Sequence, residues 1–285
     1  MFSKVDRILV AVNDLDIAQK NYEDILAAVH VGDSKSVYLN ATVRTMAIGG
    51  SEVELCCPLG PGLTQSRLNT KGEGLFIGGV ETTNLSSFED QLKQQKVGYV
   101  REGDRLYPDP TALYQLPLAV SQASQRIRQP GPVDDLYELT MVLKSNWNTV
   151  AQHYADVLGL NREHEVGITF ERFGYEGNLM KFNPDALDRI ELSEAHDPAY
   201  PMGRYTAKHG DALYMCYIET NDLADIIQRL ESKKAPYTRR TTTPVERDGL
   251  WIHPAVLNGV LLGVSRRTLA WGWSGDPKRI EPLSD

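Results

Sequence analysis

The chain has 285 residues, 41% of them hydrophobic and 24% charged, with a formal net charge of −8. That length supplies two ordinary domains with proper cores, and the acidic balance excludes a nucleic-acid partner, since no basic stripe is available to neutralise phosphates. No apolar run is long enough for a membrane span. Cys56, Cys57 and Cys216 read as reduced core residues of a cytoplasmic protein, because neighbours on a strand point to opposite faces and cannot share a zinc ion.

In chain order, residues 8–12 form a short apolar strand. Asn13 and Asp14 punctuate it, and residues 15–29 show helical spacing through Ile17, Tyr22, Ile25 and Leu26. Strand runs follow at 36–39, 44–48 and 52–56. A second unit opens with a strand at 75–80, continues with a helix over 85–95 and closes with strands near 99–101, 103–107 and 116–120. Residues 126–132, with Pro130-Gly131-Pro132, read as a linker. Beyond it the same order returns, with strands at 138–143 and 213–218 and helices over 147–158 and 223–233.

The chain repeats itself. Glu81-Thr82-Thr83-Asn84-Leu85 returns as Glu219-Thr220-Asn221-Asp222-Leu223, an offset of 138 that also holds for Leu92, Lys96 and Tyr99 against Leu230, Lys234 and Tyr237. Tyr22-Glu23-Asp24-Ile25-Leu26 matches Tyr154-Ala155-Asp156-Val157-Leu158, and Val53-Glu54-Leu55 matches Ile190-Glu191-Leu192. Three matches in one order imply a duplication. The fold class expected is α+β, with four βαβββ modules forming two tandem half-barrel domains at 1–128 and 134–270, followed by a tail at 271–285.

Four such modules resemble the vicinal oxygen chelate superfamily, which includes glyoxalases, bleomycin-resistance proteins, acyl-CoA epimerases and extradiol dioxygenases. The residues carrying the likeness are the opening run from Val5 to Leu15, Gly74-Leu75-Phe76-Ile77 leading to Val80-Glu81-Thr82, and the strand endings at Glu54 and Glu191. Leu250-Trp251-Ile252-His253-Pro254 with Asn258-Gly259-Val260 is similar to the epimerases' closing hairpin. The resemblance implies one divalent metal per half-barrel, held by histidines and glutamates on the first and last strands of each module. Those positions fall on Arg7, Glu54, Ile77 and Ala119 in the first half. In the second they fall on Glu138, Glu191, Met215 and Gly263. Arginine cannot ligate a cation, so Arg7 opposite Glu54 reads as an ion pair. No cofactor is therefore expected; a metal in the second half would have to use Glu138 and Glu191.

What remains in the second half suggests proton chemistry. Glu138 and Glu191 should face one cavity with Thr140, Met215, Tyr217 and Trp251. Two carboxylates in an apolar cleft share a proton, recruit a cation or pair with an arginine such as Arg189 or Arg204. His253, which the resemblance puts beside substrate, is the third catalytic candidate. The expected function is an acid–base enzyme of lyase, isomerase or epimerase type on a small apolar or aromatic substrate. The alternatives are a binding or sequestration protein, walled by Tyr214, Tyr217, Trp251, Trp271 and Trp273, and a divergent extradiol-type dioxygenase. A homodimer is compatible with two fused halves but not required by them.

Overall fold

A computed structural model describes residues 2–240 and 249–282; Met1, residues 241–248 of the expected second domain and the last three residues of the expected tail lie outside it. Each βαβββ module begins with a long central strand and a helix. The first module contains β1 (Phe2–Ala11), α1 (Leu15–Leu26), β2 (Val29–Ser36), β3 (Ala41–Ile48) and β4 (Ser51–Pro58). After α2 (Leu63–Lys71) the second contains β5 (Gly74–Thr82), α3 (Leu85–Gln94), β6 (Tyr99–Glu102), β7 (Arg105–Pro108) and β8 (Leu118–Gln122). The second half repeats both: β9 (Val133–Leu143), α4 (Trp147–Leu158), β10 (Glu165–Phe170), β11 (Tyr175–Lys181) and β12 (Arg189–Glu194), then α5 (Pro201–His209), β13 (Ala212–Thr220), α6 (Leu223–Ser232), β14 (Tyr237–Arg239), β15 (Gly249–Ile252) and β16 (Leu262–Arg266).

The module helices start on the same device. Asp14, Asn84, Asn146 and Asp222 each place a side-chain oxygen on a backbone N–H of the first turn, filling donors that a helix N-terminus otherwise leaves open. The first helix ends sooner than its apolar spacing suggests. Ala27 takes a left-handed conformation (φ 53°), and residues 29–36 turn away into β2 rather than continuing the helix. α2 and α5, which sequence spacing does not reveal, are short helices placed between modules.

Each half forms one eight-stranded sheet, ordered β2-β3-β4-β1-β5-β8-β7-β6 and β10-β11-β12-β9-β13-β16-β15-β14. The central strands pair antiparallel across the module boundary, and each also pairs parallel with the last strand of its own module. The first sheet curls until its outer strands meet: Glu102 at the end of β6 accepts hydrogen bonds from Ser36 Oγ and Val37 N, both at 2.6 Å.

The two sheets share one core on their convex sides. Ile8, Val10 and Val12 meet Leu139, Met141 and Leu143 there, with the apolar faces of α1, α3, α4 and α6 alongside. Gly78 permits this close approach, since a Cβ there would stand 2.4 Å from Leu139 Cδ1. The contact is reciprocal. Tyr22 of α1 donates to the Leu257 carbonyl in the second half (3.3 Å), and its counterpart Tyr154 of α4 donates to the Leu113 carbonyl in the first (2.8 Å). The concave faces therefore point away from one another.

Candidate functional site

A bulge between Val5 and Arg7 turns Asp6 and Arg7 of β1 together into the first concave face. Arg7 donates to Glu54 Oε1 (2.8 Å) and Asp6 Oδ2 (2.7 Å). Arg105, on the opposite wall, clamps Glu54 with both terminal nitrogens at 2.7 and 2.5 Å. Arg126 binds Asp6, Glu81 and Glu52. Burial disfavours the Glu54 carboxylate, but Arg105 and Arg7 outweigh it and hold its pKa below the ordinary range. The open cleft here has a volume of about 420 Å³, yet its carboxylates already have guanidinium partners. Ile77 lies deeper, in an apolar cluster with Leu9, Phe76, Tyr107 and Ala119.

The second concave face holds the sequence-predicted glutamates. Glu138, Glu191 and Arg189 are 1%, 5% and 0% exposed, so their charges must be satisfied from within the protein. Register places Arg189 opposite Glu138 and Glu191 opposite Thr140. Arg189 Nε donates to Glu138 Oε2 at 2.8 Å, and Nη2 stands 2.7 Å from the same oxygen. Thr140 Oγ1 donates to the other oxygen at 2.7 Å. Arg189 also lies 4.8 Å from the centre of the Tyr137 ring and donates to Ser274 Oγ at 3.0 Å. Arg204 instead binds the Pro198 and Ala199 carbonyls.

Among the described residues no guanidinium makes an ion pair with Glu191. Its Oε1 accepts from Ser193 Oγ at 2.6 Å. Burial and then the Glu138 carboxylate push its carboxyl up to about 8.

The other expected residues are distributed unevenly. Met215 lies opposite Thr140 and Tyr217 opposite Glu138. Tyr217 accepts from Trp251 Nε1 at 2.6 Å, and burial pushes its hydroxyl up to about 12. Arg240 stacks over Trp251 and Trp273 at 5.1 and 4.2 Å. His253 bonds Thr238 Oγ1 at 2.9 Å; among the described residues it makes no hydrogen bond or ion pair with either glutamate.

Two features escape sequence reasoning. The ring of half-exposed Phe170 meets those of Phe173 and Tyr175 at a tilt, and Phe173 packs edge-on against Trp251, forming an aromatic mouth. Alternation along β11 puts Tyr175, Leu179 and Lys181 on the glutamates' face, which could have flagged part of it. The tail, with Trp271, Trp273 and Ser274, packs across the same face; no local pattern signals that reach.

A divalent cation does not suit this donor set. Glu138 is already held by Arg189, and Met215 offers only a soft thioether. At Gly263 a side chain would collide with the Tyr217 ring, 2.1 Å from the Cβ position. Among the described residues no three His, Cys, Asp or Glu side chains converge as a metal site.

Neither protein-family models nor curated protein sequences match the chain. Solved structures do. A mutant of 4-hydroxymandelate synthase from Streptomyces coelicolor superposes with a TM-score of 0.72 at 10% identity, over 94% of this chain and 93% of that one. A xylose isomerase-like TIM barrel/4-hydroxyphenylpyruvate dioxygenase fusion protein gives 0.67 at 10% identity, over 93% of this chain and 49% of its own. At such identity the likeness speaks for fold alone. The chain shares its tandem βαβββ architecture with these structures, and Arg7, Ile77, Met215 and Gly263 stand at positions where the resemblance to the vicinal oxygen chelate superfamily puts metal ligands.

Proposed function

We propose that the chain is a small-molecule enzyme working by proton transfer in its second half, on a compact apolar or aromatic substrate. One observation carries this reading: a buried carboxyl poised near pH 8, Glu191, set beside the ion-paired Glu138 beneath an aromatic mouth. Arg189 and Thr140 hold Glu138 in place, and burial with the neighbouring Glu138 raises the Glu191 carboxyl. When Glu191 ionises it can take a proton from an activated substrate carbon. Returning that proton to another face or atom gives an isomer and restores the neutral acid. Trp251, Tyr217 and Phe173 would hold the ring or chain.

The test is carbon–hydrogen exchange in D₂O, followed by NMR over a panel of small aromatic and aliphatic carbonyl compounds. Exchange should rise toward pH 8 and vanish in a folded Glu191→Gln variant. Saturable binding with neither exchange nor product would sink the enzyme reading. It would support the second one, a binding protein, which is favoured by the tail: Ser274 bonds Arg189, and Trp271 and Trp273 add aromatic surface to the same face.

A further inference from the structure

A different place in the fold collects positive charge. α2 and α5 are duplication partners, and Lys71 and His209, the last residue of each, lie 138 positions apart, as do the glycines that follow, Gly72 and Gly210. The two helix ends converge from opposite halves on a cavity of about 280 Å³. Arg67 and Lys71 enter it from α2 and His209 from α5, while Phe76, Tyr205 and Leu213 supply apolar walls. Among the described residues none of the three cations has a carboxylate partner. Arg67 donates only to the Gly72 and Leu75 carbonyls, at 2.6 and 3.4 Å. The one acid in the lining, Asp211, is already engaged. Its Oδ1 accepts from the Lys144 and Ser145 N–H groups (2.7 and 2.9 Å) and its Oδ2 from Ser145 Oγ (2.6 Å).

Three partly exposed cations without carboxylate partners, gathered at one cleft, stand out in a chain of net charge −8. The cluster differs from the first concave face, where each arginine meets carboxylates. It opposes itself electrostatically. Burial lowers the pKa of Arg67; burial and then Arg67 lower that of Lys71. His209 is lowered by burial and then by Lys71, Lys208 and Arg67. A second cavity of about 220 Å³ shares Arg67 and Phe76 with the first and continues along Tyr38, Ile77 and Leu118 of the first half. A cationic end thus opens beside an apolar slot.

We infer that this junction binds a small organic anion, with its carboxylate between Arg67, Lys71 and His209 and its apolar body against Phe76 and Tyr205. Such a ligand supplies the missing negative charge through charge-assisted hydrogen bonds and touches both halves at once. The site is separate from the Glu138–Glu191 pair, and its test reads binding rather than turnover.

The groups facing His209 are Lys71 and Arg67 from α2, Lys208 and Tyr205 from its own helix, with its ring 4.5 Å from that of Tyr205, and Asp211 from the cavity lining. Asp211 is spent on Lys144 and Ser145, so bound carboxylate should raise the His209 titration midpoint. The experiment titrates the full chain with benzoate by calorimetry, and follows the His209 ring proton by NMR across pH with and without benzoate. Saturable binding that tightens as pH falls, an upward His209 midpoint and a loss of about tenfold or more in Arg67→Met would support the site. His209→Gln should bind benzoate with little pH dependence. The inference is overturned by any of three results: no saturation at millimolar benzoate, an unmoved His209 midpoint, or equal affinity for benzyl alcohol. Inorganic phosphate binding as tightly as benzoate would also overturn the assigned ligand class, since the apolar slot would then contribute nothing.

Discussion

Replacing Glu191 by glutamine tests the proton pair without needing a substrate. In the folded chain the Glu191 carboxyl is raised from an ordinary 4.5 to about 8. Below pH 4.5 it is protonated whether the chain is folded or not, and its stabilising contribution is fully present. Between 4.5 and 8 the unfolded chain releases the proton while the folded chain keeps it, so stability falls as pH rises. Above 8 the contribution is gone. At ~1.4 kcal/mol per pH unit the full swing is at most about 5 kcal/mol, and a few kcal/mol after relaxation around a coupled pair. Glutamine cannot ionise. The stability of Glu191→Gln minus that of the parent should therefore climb through this window and then level off. Urea unfolding of both proteins at pH 5 to 9 measures it, and subtraction removes other titrating groups such as Asp188, raised to about 7 by burial. Two parallel curves would refute the shared-proton argument.

Two further outcomes follow from buried contacts. Arg189→Met leaves Glu138 buried without its counter-charge and should cost about 3–5 kcal/mol, whereas adding Glu138→Leu should recover most of that loss; a single-variant loss under about 1 kcal/mol in urea would contradict the ion-pair description. Tyr22→Phe and Tyr154→Phe should each cost about 1 kcal/mol. Their effects should add in the double variant, since they lie in separate contacts at the shared core.

The duplication was legible because repeated chemistry leaves repeated letters: the strand–helix–strand order, the Asn and Asp caps and the Glu54/Glu191 match all sit on local patterns. The pairing of Glu138 with Arg189 was within reach, since alternate residues of a strand share a face and Arg189 precedes Glu191 by two. The cover over that pair was not. Ser274 reaches Arg189 across the fold, and β12 contains nothing that requires it. α2 and α5 were equally hidden. Each is a single short helix of nine residues, too brief for a convincing apolar period, and their importance arises only where their ends meet.

The reciprocal tyrosine contacts make this chain a covalent counterpart of a symmetric pair, and the joining has a consequence for what its residues can become. In a true homodimer every substitution appears on both sides of the axis. Here one half can change while the other stays as it was. Register sets Arg7 against Glu52 in the first half and Glu138 against Arg189 in the second: the two adjacent strands have exchanged the signs they carry. Identical subunits cannot hold opposite solutions at the same place. A fused chain can, so the two concave faces are free to diverge in charge and chemistry independently of one another.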